Sequence, residues 1–211
     1  MPFYQNHILP HLIRLTMRGR HLMPYRERVI AAARGRVLEI GVGAGANLPF
    51  YGPQTRELIG VELSSRLVSM TRKAAERSHR PIELVEASAE NIPLDSRSVD
   101  TVVMTWTLCS IPNPLTALRE MRRVLKPDGR LLFVEHGLAA DARVRKWQHR
   151  LTPVWKHLAG GCHLDRAMNV LIQYGGFRIV HLDTGYMEGP KPMTFMYEGL
   201  AVPGDAPNAN T

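Results

Sequence analysis

The chain has 211 residues, 45% of them hydrophobic and 22% charged, the profile of one globular domain with enough chain to bury a core. No apolar run approaches the roughly 18 residues of a membrane span, and the N-terminus lacks the apolar block and small-residue cleavage site of a secretory signal, so a cytoplasmic location is the expectation. Cys109 and Cys162 give neither a disulfide framework nor a C-x-x-C pair, so reduced thiols and no metal are expected.

The net charge of +8 raises the question of nucleic acid. Six arginines and only Glu27 fall within residues 1–34, which therefore carry +5 of it, and nowhere do basic residues alternate with aromatics as a phosphate-tracking groove requires. No nucleic-acid partner is expected. A basic, partly apolar arm over residues 1–34 suits peripheral contact with an anionic membrane surface, a lid over a pocket, or a solvated face equally well.

Within that arm, Pro10 and Pro24 mark helix starts and Gly19 and Gly35 stops, with Leu9, Leu12, Ile13 and Thr16 on one face. From Arg36 the pattern alternates. RVLEI, ELIGVE, IELVEA, SVDTVVMT and RLLFVE read as strands; stretches near 64–78, 114–125, 141–158 and 165–174 read as helices. Strands continuously rich in Val, Ile and Leu belong in a sheet covered on both faces. The expected fold is α/β: a Rossmann-like, doubly wound, mostly parallel sheet. GFRIVHLDT and MTFMYEGLAV, separated by YMEGPKP, read as a closing strand pair. The expected organisation is a helical arm over 1–35, one domain over 36–202 and a disordered tail over 203–211.

The loop after the first strand, Gly41-Val42-Gly43-Ala44-Gly45-Ala46, fits both G-x-G-x-x-A and G-x-G-x-G. The first is the dinucleotide fingerprint of an NAD(P)-dependent oxidoreductase, and a nucleotide-sensing module without catalysis is a further alternative. Glu39 and Pro49 favour the second. A carboxylate two residues before Gly41 suits a cationic cofactor rather than a pyrophosphate, and Pro49 interrupts the regular helix a pyrophosphate prefers. Glu62 closes the second strand, where a carboxylate can accept ribose hydroxyls, and Ser88, Ala89 and Glu90 follow the third.

The ordered segments VLEIGVGAG, GVELS, ASAENIPL, SVDTVVMTWTLCSI and LREMRRVLKPDGRLLFVEHG resemble the class I S-adenosylmethionine-dependent methyltransferases. That resemblance implies a seven-stranded sheet with a reversed C-terminal hairpin and a cofactor, S-adenosyl-L-methionine, leaving as S-adenosyl-L-homocysteine. By it, Glu39, Gly41, Gly43 and Gly45 take the methionine part, Glu62 the ribose, and Ser88 and Ala89 the adenine edge, with Asn47, Leu63, Glu90, Thr105 and Leu108 also at the cofactor. TLCS at 107–110, VEH at 134–136, WQ at 147–148, P-x-W at 153–155, GC at 161–162 and the closing Y-x-G-x-A-V resemble more narrowly the alkyl thiol S-methyltransferases, although their hydrophobic anchor is missing here. The acceptor implied is a small thiol or hydrogen sulfide; related enzymes act on phospholipid head-group amines or quinone precursors. His136, at the carboxyl end of the fifth strand, is the expected catalytic base, with His163 and Asp165 behind it. Trp106, Cys109, Trp155 and His163 are expected to shape the acceptor pocket, and direct transfer needs no cysteine nucleophile. Phe3 and Tyr4 with the first helix are candidates for the lid.

Overall fold

A computed structural model describes residues 4–204. Seven strands form one sheet: β1 (Gly35–Ile40), β2 (Thr55–Glu62), β3 (Glu83–Glu86), β4 (Val99–Thr105), β5 (Leu125–His136), β6 (Phe177–Tyr186) and β7 (Phe195–Pro203), in the order β3-β2-β1-β4-β5-β7-β6. The first five are parallel, and β7 enters antiparallel between β5 and β6. The order reverses between β1 and β4, the switch point at which ligands of open α/β sheets bind beyond the strand ends.

The helices are α1 (Leu9–Thr16), α2 (Met23–Ile30), α3 (Ser65–Ser78), α4 (Pro114–Val124), α5 (Ala142–Leu158), α6 (Met168–Tyr174) and the short α7 (Lys191–Thr194). Strand residues alternate between two cores because successive side chains leave opposite faces. Leu38, Ile40, Val102, Met104, Leu131 and Phe133 pack with Leu118 and Met121 of α4 and Met168 and Ile172 of α6. Val37, Leu58, Val103, Leu132 and Val134 pack with Val29 and Ile30 of α2 and Ala74 of α3. Three helices begin on side chains that satisfy orphan backbone donors: Ser64 before α3, Asn113 before α4 and Asp141 before α5.

Two boundaries shift from the sequence reading. Gly35 already pairs in β1, and β7 runs through Pro203, after which the Gly204 N–H donates to the Gly176 carbonyl and its own carbonyl accepts from Arg122. Ladder and loop hydrogen bonds carry the domain beyond 202, where a run of turn-forming residues suggests only a tail. Residues 205–211 of that tail, and Phe3, lie outside the described residues. Among the described residues no helix is long and apolar enough to cross a membrane.

The arm is tied to the domain from both ends. The Tyr4 hydroxyl donates to the Leu158 carbonyl at 2.7 Å, and Arg28 of α2 grips the Glu198 carboxylate of β7 through two bonds of 2.8 and 2.6 Å. Leu9, Pro10 and Ile13 of α1, with Thr16 and Met17 at its end, are thereby laid along the open edge of the sheet beyond the strands.

Candidate active site

A cleft of about 1070 Å³ runs along the carboxyl ends of β1, β2, β4 and β5. Of the residues expected at a site, it gathers Gly41, Gly43, Glu62, Leu63, Ser88, Ala89, Trp106, Cys109, His136 and Trp155 on one surface, and adds Cys162. An adjoining pocket of about 70 Å³ shares Gly41, Gly43 and Trp106 with it and is lined also by Glu39, Asn47 and Thr105. Gly45 packs away from both, against Ala74 and Leu48. Leu108 is fully buried. The Glu90 carboxylate turns to the Asn113 N–H at 2.7 Å, and His163 faces Asp165 at 3.8 Å, so neither lines the cleft.

The loop after β1 is shaped for close approach. Gly41 and Gly43 have φ of 66° and 59°, in the left-handed region that side chains disfavour. A Cβ on Gly43 would meet nothing nearer than the Gly41 carbonyl at 3.9 Å, so the loop presents bare backbone to open space. Beside it, the two Glu62 oxygens accept from the Gly43 and Ser64 N–H groups, each at 3.0 Å. Burial raises the Glu62 pKa against those backbone donors. A carboxylate has about four acceptor positions, more than these two bonds use, and Glu62 lines the cleft, where a ribose hydroxyl could reach it. The residues present fit a nucleoside-bearing cofactor.

Glu39 is arranged differently from a bare strand-end carboxylate. It is 1% exposed, and its two oxygens accept from Asn47 Nδ2 (2.8 Å) and the Tyr51 hydroxyl (2.7 Å). Asn47 in turn accepts from Arg26 Nε at 2.8 Å and donates to Thr105 at 2.9 Å. Burial raises Glu39 to about 7, opposed by Tyr51, Asn47 and Arg26, while burial lowers Arg26 to about 10. The Arg26 guanidinium lies 4.6 Å from the Trp106 ring centre. Arg26 and Tyr51 were not read from the sequence as site residues. For Arg26 a signal existed, an arginine at helical spacing from Val29 and Ile30 on the buried face of α2.

At the other end of the cleft, the TLCS segment after β4 is clamped from two sides. The fully buried Glu135 accepts from the N–H groups of Thr107 (2.7 Å) and Leu108 (3.0 Å). Arg166 donates to the carbonyls of Leu108 (2.5 Å) and Ile111 (2.8 Å), and the His163 N–H to that of Cys109 (2.9 Å). Just before this segment Trp106, whose N–H donates to the Val134 carbonyl, stands at φ 50°, a conformation that costs a non-glycine residue roughly 1–3 kcal/mol. Burial and then the Cys109 charge push Glu135 up to about 8. Neither Glu135 nor Arg166 was singled out from sequence. Glu135 could have been, because it repeats the acid at a strand end already noted at Glu39.

His136 Nε2 lies 3.1 Å from Cys162 Sγ, and Trp155 Nε1 donates to the same sulfur at 3.3 Å. Cys109 is pulled well below the usual thiol range by Cys162 and, against burial, by His136; Cys162 is pushed up by Cys109 and by burial. Burial opposes the His136 imidazolium, but the Cys109 charge overrides it and the pKa is raised. Both cysteines are free, as expected.

Residues 38–133 match the family model described as a methyltransferase domain. The chain is 35% identical to thiol S-methyltransferase TMT1B of Rattus norvegicus over 173 residues, covering 81% of this chain and 69% of that protein. With human TMT1B it shares 33% over 182 residues, covering 84% and 73%. The crystal structure of YcgJ from Bacillus subtilis superposes with a TM-score of 0.64 at 16% identity, over 88% of this chain and 99% of that one, a likeness of fold. On that combination of sequence, sheet order and site, this chain belongs to the class I S-adenosylmethionine-dependent methyltransferases, in the family that includes the thiol S-methyltransferases.

Proposed function

We propose that this methyltransferase methylates the sulfur of a small, largely apolar thiol or of hydrogen sulfide. The observation that carries the reading is the cleft itself. The glycine loop and Glu62 occupy one end, and His136 is at the other between Cys109 and Cys162, with Trp106 and Trp155 also in the lining. The names of its TMT1B relatives point the same way.

S-adenosylmethionine supplies, when bound, an electrophilic methyl on a sulfonium. Gly41, Gly43 and Glu62 would hold its nucleoside side, with Ser88 and Ala89 at the adenine edge, and Glu39 would face its cationic end through the small pocket. Leu9, Pro10, Ile13 and Met17 cover the cleft and limit water, the work of a lid. The tryptophans hold an apolar acceptor in place, and orientation is the larger part of what such a displacement needs. The remaining requirement is ionisation, because the thiolate is the nucleophile and a thiol of pKa about 8.5 is only about 3% ionised at pH 7. His136, in the cleft lining at that end, is the group that favours it.

The test is an acceptor panel of propanethiol, sulfide, an ethanolamine phospholipid and a quinol, each incubated with the methyl donor and read by mass gain of one methyl. Methylation of the sulfur acceptors alone is expected. Turnover of the lipid or quinol with no thiol product would overturn the reading.

A further inference from the structure

Cys109, His136 and Cys162 come from three different connections and close on one point of the cleft lining. Cys109 belongs to the clamped turn after β4, His136 is the last residue of β5, and Cys162 follows Gly160 and Gly161, whose φ of 61° and 88° turn the chain back after α5. Their donor atoms all lie within 4.8 Å of one another, and His136 Nε2 and Cys162 Sγ are 3.1 Å apart. Zinc bonded at about 2.3 Å to sulfur and about 2.0–2.1 Å to imidazole nitrogen places tetrahedral ligands roughly 3.5–3.8 Å apart. That spacing falls inside the range seen, so side-chain adjustments of an ångström or less would close the site.

Three further features suit a metal centre. Two thiolates balance one dication while the imidazole stays neutral, so the three side chains can be buried together without net charge. Outer bonds already orient the two cysteines: Trp155 donates to the Cys162 sulfur, and the Cys109 backbone is held by His163. All three ligands line the cleft, so a fourth position would open onto the acceptor space. Two sulfurs and a nitrogen are a donor set that selects zinc among the common hard and borderline cations.

We propose that Cys109, His136 and Cys162 bind a zinc ion through an open three-ligand site, whose fourth position takes the sulfur of the acceptor as a thiolate. The second half rests on the thiol reading above, and it specifies how His136 favours ionisation. The expectation of no metal came from cysteine spacing. The fold brings together donors that are 27 and 26 residues apart in the chain. On metal uptake the two cysteines release their protons to solvent, and the acceptor thiol likewise releases its proton to solvent as its sulfur takes the fourth position. The bound sulfur then forms a bond to the methyl carbon while the bond from that carbon to the sulfonium breaks, its electron pair staying on the departing sulfur. A neutral thioether, a weak ligand, leaves, and no electron donor or acceptor is needed.

The experiment uses full-length chain purified without chelator. Elemental analysis after dialysis against zinc should give about one zinc per chain, and Cys109→Ser and Cys162→Ser should each lower zinc affinity at least about tenfold, with S-adenosylhomocysteine binding retained as the check on folding. Cobalt exchanged into the site should show thiolate charge-transfer bands, and propanethiol should shift its visible bands. Wild-type chain that retains no zinc, or a Cys109→Ser/Cys162→Ser double variant that retains as much as wild type, overturns the metal site. Zinc-free chain that methylates propanethiol as fast as the zinc-loaded form overturns the activation step alone. A zinc-loaded chain that methylates no thiol overturns the acceptor reading and leaves the metal site standing.

Discussion

Replacing Gly43 with alanine separates a binding role for the glycine loop from a packing role. At φ 59° the alanine occupies the left-handed region, which costs roughly 1–2 kcal/mol. Lower entropy of the unfolded chain returns roughly 0.4–1 kcal/mol where a Cβ is tolerated. The new Cβ meets only the Gly41 carbonyl at 3.9 Å, so no clash adds to the cost. The net loss is about 1 kcal/mol, or a Tm lower by roughly 2–4 °C for a chain of this size. The same methyl occupies the space into which a cofactor must press, and overpacking of that kind costs roughly 1–3 kcal/mol, so affinity should fall by about fivefold or more. Gly41→Ala is the contrast: at φ 66° its Cβ would lie 2.5 Å from Thr107 Cγ2 and 2.6 Å from Thr107 Oγ1, displacing the side chain that bonds the Ile40 carbonyl. That variant should lose more stability than Gly43→Ala. Scanning calorimetry and titration with S-adenosylhomocysteine read both quantities. If Gly43→Ala binds S-adenosylhomocysteine like wild type, or melts below Gly41→Ala, the loop is a packing feature and the argument is wrong.

Three other expectations follow from the site. Glu62→Ala removes a charged acceptor worth roughly 1.5–3 kcal/mol to each hydrogen-bonded partner, so S-adenosylhomocysteine affinity should fall about 10- to 100-fold by titration; an unchanged affinity refutes the ribose role. For Glu39, the folded pKa of about 7 stands above the unfolded 4.5, so between those values the folded state holds the extra proton and stability falls as pH rises. The difference amounts to about 3 kcal/mol at most, and Glu39→Gln should flatten the urea-unfolding stability between pH 4.5 and 8; parallel wild-type and variant profiles would show that Glu39 does not titrate there. For His136→Ala, propanethiol methylation should drop by up to about 30-fold at pH 7, the reciprocal of the thiolate fraction, and the deficit should shrink toward pH 10 as the acceptor ionises by itself. A deficit equal at both pH values would assign His136 to shaping the cleft only.

How far the sequence could be read depends on whether the relevant information is local. The run VLEI, the glycines after it and Glu62 at the end of GVE follow from strand periodicity and from what a turn at a strand end requires, so the sheet and the glycine-loop end of the cleft were legible. The strand pair at the end was legible for the same reason, since the Gly and Pro of YMEGPKP signal a break between strands, though the connection also holds the short α7 and β7 extends through Pro203. Glu39 was legible as a strand-end acid but not as the centre of a buried chain running through Asn47 to Arg26, because Arg26 arrives from a separate helix. Glu135 and Arg166 were missed: their partners are main-chain groups of the 107–111 segment, and no side-chain pattern reports a backbone hydrogen bond.

From the sequence alone came the β-α alternation, the closing strand pair and the glycine loop, because each rests on the periodicity or turn chemistry of a few consecutive residues, while the reversed sense of that pair and the methyl donor came from the resemblance of the ordered segments to a known family. Only the tertiary structure decided that Cys109, His136 and Cys162 meet, that α1 lies along the cleft, and that Arg26 faces Glu39 across Asn47. The reason is physical: parallel strands send the turns after β1, β2, β4 and β5 to one edge. Which side chains converge there is set by strand order and register, quantities that long-range packing determines and a local pattern does not encode.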